Sequence, residues 1–260
     1  MNNNGYLSFA KEVAFEAGRI MLKYFKEDNG ATYKLDRTIV TLADKEINEY
    51  LIECVKEKFP THSVNGEEAS FGESNYVWVC DPVDGTAMYA RHITTAVFSL
   101  ALVIDGESEV GVVYDPFTNT MYSAIKGKGA YKNDARIFVN NLELNDERSV
   151  SNFDIWQGAA YDISKLMADL LTKTYFVSLG SVIRACMAVA SGDFTIAIFP
   201  GGKGKNCDIA AVKVIVEEAG GKVTDLFGDE QRYDKDSIKG ALISNSKIHS
   251  KMVGIIKKYV

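Results

Sequence analysis

The chain has 260 residues, 47% of them hydrophobic and 25% charged, an ordinary globular composition with ample length for a buried core. A net charge of −6 without a lysine-arginine cluster argues against a nucleic-acid polymer as partner and leaves a small substrate as the starting expectation. Four scattered cysteines without Cys-x-x-Cys spacing, three histidines and no apolar run of about 18 residues argue against a zinc site, a disulfide framework and a membrane span. The start, MNNNGYLSFAKEV, lacks the basic-then-apolar layout of an export signal, so reduced thiols in a cytoplasmic protein are expected.

From Leu7 the apolar residues Ala10, Ala14, Ala17, Met21 and Phe25 recur at helical spacing, and the helix ends near the polar EDNG stretch. A second helix starts around Ala43, runs through Ile47, Leu51, Cys54 and Val55, and stops by Pro60. Thr41 precedes it and Asp44 lies in its first turn. SVNGEEAS then sets Glu67 and Glu68 just after a glycine. From Val77 to about Tyr131 short β-rich runs, separated by DGES and DPFTN, predict an antiparallel meander.

The first of those runs, VWVCDPVDGT, stops at Asp81 and Asp84. A turn would account for the Asp, Pro and Gly residues. It would not account for both acids, and the other reading is that the strand delivers two carboxylates to a point where a hard cation and an anionic substrate meet. After about Arg136 helices and strands alternate: a helix near Ile163 to Leu171, strand TYFVSL, a helix from Ser181 to Ala190, strand FTIAIF, a helix from Ile209 to Ala219, strands KVTDL and GALISN, and a last helix. That alternation predicts stacked layers of sheets and helices, divided at residues 1–135 and 136–260. Asp208 sits at the start of the Ile209 helix. Singly, an acid in a first turn is the expected complement of the helix dipole, and Glu67-Glu68 reads as a solvated pair.

Together GEE, DPVDGT and the late Asp-x-Ala-Ala helix ending in EAGG resemble the inositol monophosphatase family. IVTLAD, SLALVIDGESEVGVVYDPFTNTMYSAIKGKGAY, the Gly180-Ser181 pair and EEAGGKVTD extend the resemblance over most of the chain. It implies an α+β fold, a layered αβαβα sandwich with an antiparallel sheet in the first half and a mixed sheet in the second. It also implies a homodimer and lithium-sensitive, Mg²⁺-dependent hydrolysis of a small phosphate monoester. Glu67, Asp81, the carbonyl of Val83, Asp84 and Asp208 would hold two or three Mg²⁺ ions, with Asp44 near the most weakly held; oxygen-only ligands suit that ion. Gly85 and Thr86 would seat the phosphate at a helix start, and Thr86 and Glu67 would orient the attacking water. Glu68 matches the neighbour of a ligand and is expected behind it or in solvent.

Three departures from the family pattern stand out. Cys207 takes the place of a tryptophan, with no histidine beside it to suggest a nucleophile. Met88 and Tyr89 replace Asn and Phe. The loop FPGGKGKNCD lacks the acid that reads sugar hydroxyls and carries Lys203 and Lys205, either solvated or binding a second anionic group as in bisphosphate nucleotidases. Fructose-1,6-bisphosphatase, 3′(2′),5′-bisphosphate nucleotidase and a metal-binding module without turnover are therefore the alternatives.

Overall fold

The computed structural model describes residues 2–26, 28–35, 38–155, 159–201, 207–234 and 240–260. Helices α1 (Asn3–Lys26) and α2 (Leu42–Lys58) open the chain, with a hairpin of β1 (Thr32–Tyr33) and β2 (Ile39–Val40) between them. Then come β3 (Ser63–Gly66), β4 (Ser70–Phe71), β5 (Tyr76–Asp84), the one-turn helix α3 (Thr86–Tyr89), β6 (Val97–Ile104), β7 (Glu107–Asp115), β8 (Thr120–Ile125), β9 (Gly129–Lys132) and β10 (Ala135–Arg136). These strands build one sheet in the order β10-β9-β8-β7-β6-β5-β3-β4. From β5 to β9 it is the expected antiparallel meander. Strand β3, whose SVNG sequence shows no β pattern, adds one parallel pair against β5.

The second half contributes β11 (Val150–Phe153), α4 (Ser164–Leu170), β12 (Tyr175–Val177), α5 (Val182–Ala190), β13 (Ile196–Phe199), α6 (Cys207–Glu218), β14 (Gly221–Thr224), β15 (Ala241–Asn245) and α7 (His249–Ile256). Its sheet is mixed, in the order β12-β11-β13-β15-β14, with β11 parallel to its neighbours and β15 antiparallel to both of its own.

Side chains alternate across a strand, so one run of apolar residues can fill two cores. On β5, Trp78 and Cys80 join the cluster built with Ala10, Ala14, Ala17 of α1 and Ile47, Leu51 of α2. Val77 and Val79 face the other way, into a cluster with α5 and α6. The second sheet repeats the device: Ala197, Phe199 and Ile243 share the α5–α6 cluster, whereas Ile196, Ile198 and Leu242 pack against Leu166 of α4 and Met252 of α7. The resulting order is helices, sheet, helices, sheet, helices. Burial on both faces explains why the central strands read as unbroken apolar runs rather than as half-polar ones. Between the sheets α6 lies so close to β7 that a Cβ on Gly111 would be 2.6 Å from Val214 Cγ1 and 2.9 Å from the Ala211 carbonyl oxygen.

Candidate active site

Strand β5 ends in a bulge. Asp81 pairs with Ser99 and Asp84 with Val97, so two residues, Pro82 and Val83, oppose Phe98 alone. Proline fits there because an extra bulge residue needs no ladder donor. The alternation that sends Val77 and Val79 toward α6 places Asp81 on the same face, and the bulge then returns Asp84 close to it. Both are buried, 2% and 7% exposed. The Val83 N–H donates to Asp81 Oδ1 at 3.0 Å, and the Thr86 hydroxyl donates to the Val83 carbonyl at 2.8 Å. Gly85, with φ +83°, turns the chain into α3. That helix is four residues long, too short to carry a macrodipole; what the turn offers an anion is its local N–H groups.

Each remaining acid arrives on its own segment. Parallel pairing sets Gly66 opposite Cys80, and the Glu67 N–H donates to the Cys80 carbonyl at 3.1 Å, so Glu67 lies beside Asp81. Asp44 closes the first turn of α2: its Oδ2 accepts from the Thr41 N–H at 2.8 Å and the Thr41 hydroxyl at 2.5 Å. Its Oδ1 is buried and has no partner among the described residues. One turn further along α2, Asn48 accepts from the Glu68 N–H at 3.3 Å and donates to the Ala69 carbonyl at 3.0 Å, fixing the Glu67-Glu68 loop. Asp208 rides on the first turn of α6.

Two knots of ligand atoms result. Oxygens of Asp44, Glu67 and Glu68 lie within 4.8 Å of one another, and so do oxygens of Asp81 and Asp208 with the sulfur of Cys207. Glu68 is thus part of the first knot, where Lys34 bridges it at 2.5 Å and Glu67 at 3.1 Å. Burial, and then Glu67, push the Asp44 carboxyl up to about 7. Burial and Asp208 push Asp84 up to about 8, against the hydrogen bonds that favour its charge. Asp81 is raised well above the usual range by burial, with Glu67, Asp208 and Asp84 adding to it.

Asp84 is gripped from the other half of the chain. Its Oδ2 accepts from the hydroxyl of Ser181, the N-cap of α5, and from the Ile183 N–H at 2.9 Å. Buried Asp154 in turn holds the segment before Ser181, accepting from the Ser178 hydroxyl at 2.6 Å and the Gly180 N–H at 3.0 Å. Lys34, Asn48 and Asp154 carry no sequence signal; they were missed because their roles depend on partners 20 to 34 positions away. Ser181 stood within a matching motif but without a role. Arg184 pairs with Asp115 at 2.6 Å, and His92 and Arg91 bond to backbone carbonyls, which gives all three structural partners. Lys203 and Lys205 lie outside the described residues.

The family model for inositol monophosphatases matches residues 2–260. The chain belongs to the inositol monophosphatase family. It is a phosphatase, and its relatives span several named roles. A Nus factor SuhB of Pasteurella multocida is 32% identical over 86% of each chain. A fructose-1,6-bisphosphatase/inositol-1-monophosphatase of Thermotoga maritima is 29% identical, over 98% of this chain and 96% of its own. Among solved structures, the inositol monophosphatase of Thermotoga maritima superposes with a TM-score of 0.87 at 26% identity, covering 98% of both chains. That of Anabaena superposes with a TM-score of 0.83 at 27% identity, over 100% of this chain and 98% of its own.

The acids fit the hard divalent cations that phosphatases of this kind call for. A buried carboxylate oxygen without a donor among the described residues, at Asp44, is costly unless something positive meets it. Carboxylates crowded until their protons are retained near neutrality are likewise a set that a cation would relax.

Proposed function

We propose that the chain is a Mg²⁺-dependent phosphomonoesterase acting by direct transfer of the phosphoryl group to water. The observation that carries this reading is the convergence of Asp44, Glu67, Asp81, Asp84 and Asp208 from three elements and the loop after β3, with Asp44 Oδ1, unpartnered among the described residues, in the set. Glu67, Asp81, the Val83 carbonyl, Asp84 and Asp208 would hold two or three Mg²⁺ ions, and Asp44 would add its charge at the weakest position. When bound, Mg²⁺ supplies Lewis acidity that neutralises phosphoryl charge and makes water nucleophilic at neutral pH.

The chain's own residues do the rest by placement. Ser181 and the Ile183 N–H fix which way Asp84 faces, and Thr86 is tied to the Val83 carbonyl, so the whole turn is oriented before substrate arrives. N–H groups at Gly85 and Thr86 take phosphate oxygens. Glu67 and the Thr86 hydroxyl orient the attacking water, and no covalent enzyme intermediate is needed. Release of phosphate from p-nitrophenyl phosphate with Mg²⁺, abolished by EDTA, is the expected result. No Mg²⁺-dependent release from any phosphate ester would leave a binding module without turnover.

For substrate, Lys203 and Lys205 favour a compound with a second phosphate. A panel of myo-inositol 1-phosphate, fructose 1,6-bisphosphate and 3′-phosphoadenosine 5′-phosphate decides this. Replacing both lysines by alanine should cost a bisphosphate about 1–3 kcal/mol of transition-state binding and spare monophosphates. Equal losses on all three would make the lysines bystanders. Lithium is expected to inhibit where sodium does not, through the position beside Asp44. The four cysteines form no disulfide, which suits the cytoplasm, and no helix among the described residues is long and apolar enough to cross a membrane. Family membership supports a homodimer, to be checked by sedimentation.

A further inference from the structure

Cys207 opens α6 immediately before Asp208, and its side chain is only 3% exposed. One side of it packs with Ile209, Ala210 and the rest of the inter-sheet core. Its sulfur, however, reaches the carboxylates: it points at Asp208 Oδ1 from 4.0 Å, and it lies with oxygens of Asp81 and Asp208 inside a 4.8 Å span. A buried thiol that serves only packing is surrounded by apolar groups. This one stands among two carboxylates brought from different elements, β5 and α6.

We propose that Cys207 makes this end of the centre a mixed oxygen and sulfur site, on which Asp81, Asp208 and the Cys207 thiolate take a thiophilic divalent cation, Zn²⁺ or Cd²⁺. The inference rests on the reading that these acids hold cations. The geometry is right for it. With a metal–sulfur bond of about 2.3 Å and metal–oxygen bonds of about 2.0–2.2 Å, ligand sulfur and oxygen stand about 3.6 Å apart at a tetrahedral angle and about 4.4 Å apart when opposite. The sulfur stands 4.0 Å from Asp208 Oδ1, inside that range, and all three ligand atoms lie within 4.8 Å of one another. Chemistry then separates the ions: Mg²⁺ gains little from sulfur, whereas thiolate is among the preferred ligands of Zn²⁺. As the metal–sulfur bond forms, the thiol proton passes to solvent. A cation bound this way would exclude Mg²⁺ from the same ligands.

Titration of the metal-free full-length protein with Cd²⁺, followed by the ultraviolet charge-transfer band of a cadmium–thiolate bond, tests this directly. One equivalent should raise the band to its full height. Cys207→Ser should lose the band and bind Cd²⁺ at least tenfold more weakly. Cys54, Cys80 and Cys186 are the other possible sources, so a band that persists in Cys207→Ser overturns the inference, as does no band in the native protein. Should that variant fail to fold, the native protein still decides: excess Mg²⁺ must shift the Cd²⁺ midpoint upward by at least tenfold, and an unmoved midpoint puts the thiol outside the Mg²⁺ site. Loss of Mg²⁺-dependent phosphate release would sink the proposed reaction and leave the band intact, whereas normal release without a band would sink only the thiol.

Discussion

Asp84 accepts two hydrogen bonds and faces Asp208, so its charge is favoured by the first and opposed by the second and by burial. Removing the charge is informative. Asp84→Asn should stay folded and lose on the order of 10²-fold or more in kcat, since a metal ligand supplies several kcal/mol of charge stabilisation; a variant that kept most of its activity would remove Asp84 from the centre. The same crowding gives stability a pH dependence. Folded Asp44 and Asp84 keep protons up to about 7 and about 8, whereas an unfolded carboxyl releases its own near 4. Between those limits the folded state binds more protons, so stability falls as pH rises. Buried His249, lowered to about 4 by burial and then by Lys222 and Lys213, works the other way but only below its ordinary 6.5. In EDTA the Tm is therefore expected to drop between about pH 6.5 and 8. Saturating Mg²⁺ should flatten the slope, and Asp84→Asn should reduce it.

Among the elements, α5 is the one whose contribution to the centre is least evident from its composition. It carries no acid, yet its N-terminal turn supplies both donors to Asp84, and a Cβ on Gly85 would come within 3.0 Å of the Gly180 carbonyl oxygen and of Ser181 Cβ. The turn after β5 and the turn before α5 are in contact, one from each half of the chain. Ser181→Ala should lower Mg²⁺ affinity by about 10- to 100-fold, the range for a group that orients a metal ligand from behind. Calorimetric titration with Mg²⁺ measures this, and an unchanged affinity would mean that the Ile183 N–H suffices to orient Asp84.

For the whole molecule, the decisive placement is that of α6, which is packed between the two sheets and carries Asp208 on its first turn. Gly111 on β7 lets it approach. Gly111→Ala adds a methyl where Val214 and the Ala211 carbonyl already stand, and should cost about 1–3 kcal/mol of stability by overpacking. Mg²⁺ affinity should fall with it, because pushing α6 outward moves Asp208 from Asp81. Urea unfolding and the same Mg²⁺ titration read both effects, and a stability loss without an affinity loss would uncouple the helix position from the centre.

Much of this was legible in the chain itself. Helical spacing of apolar residues, and β-rich runs set between turn signals, located α1, α2, the meander and the alternating second half, because those patterns record burial that is local to each element. The family resemblance carried by the GEE, DPVDGT and DIAA segments pointed to Glu67, Asp81, Asp84 and Asp208. Pairing and depth were another matter. That β3 lies parallel to β5, that Glu68 joins Asp44 under Lys34, that Ser181 grips Asp84 and that the Cys207 sulfur meets two carboxylates all depend on contacts between distant segments. A residue's neighbours in sequence carry no trace of such partners, since a strand's register and a helix's approach are set by the fit of whole cores, and only folding brings the charges close enough to alter one another.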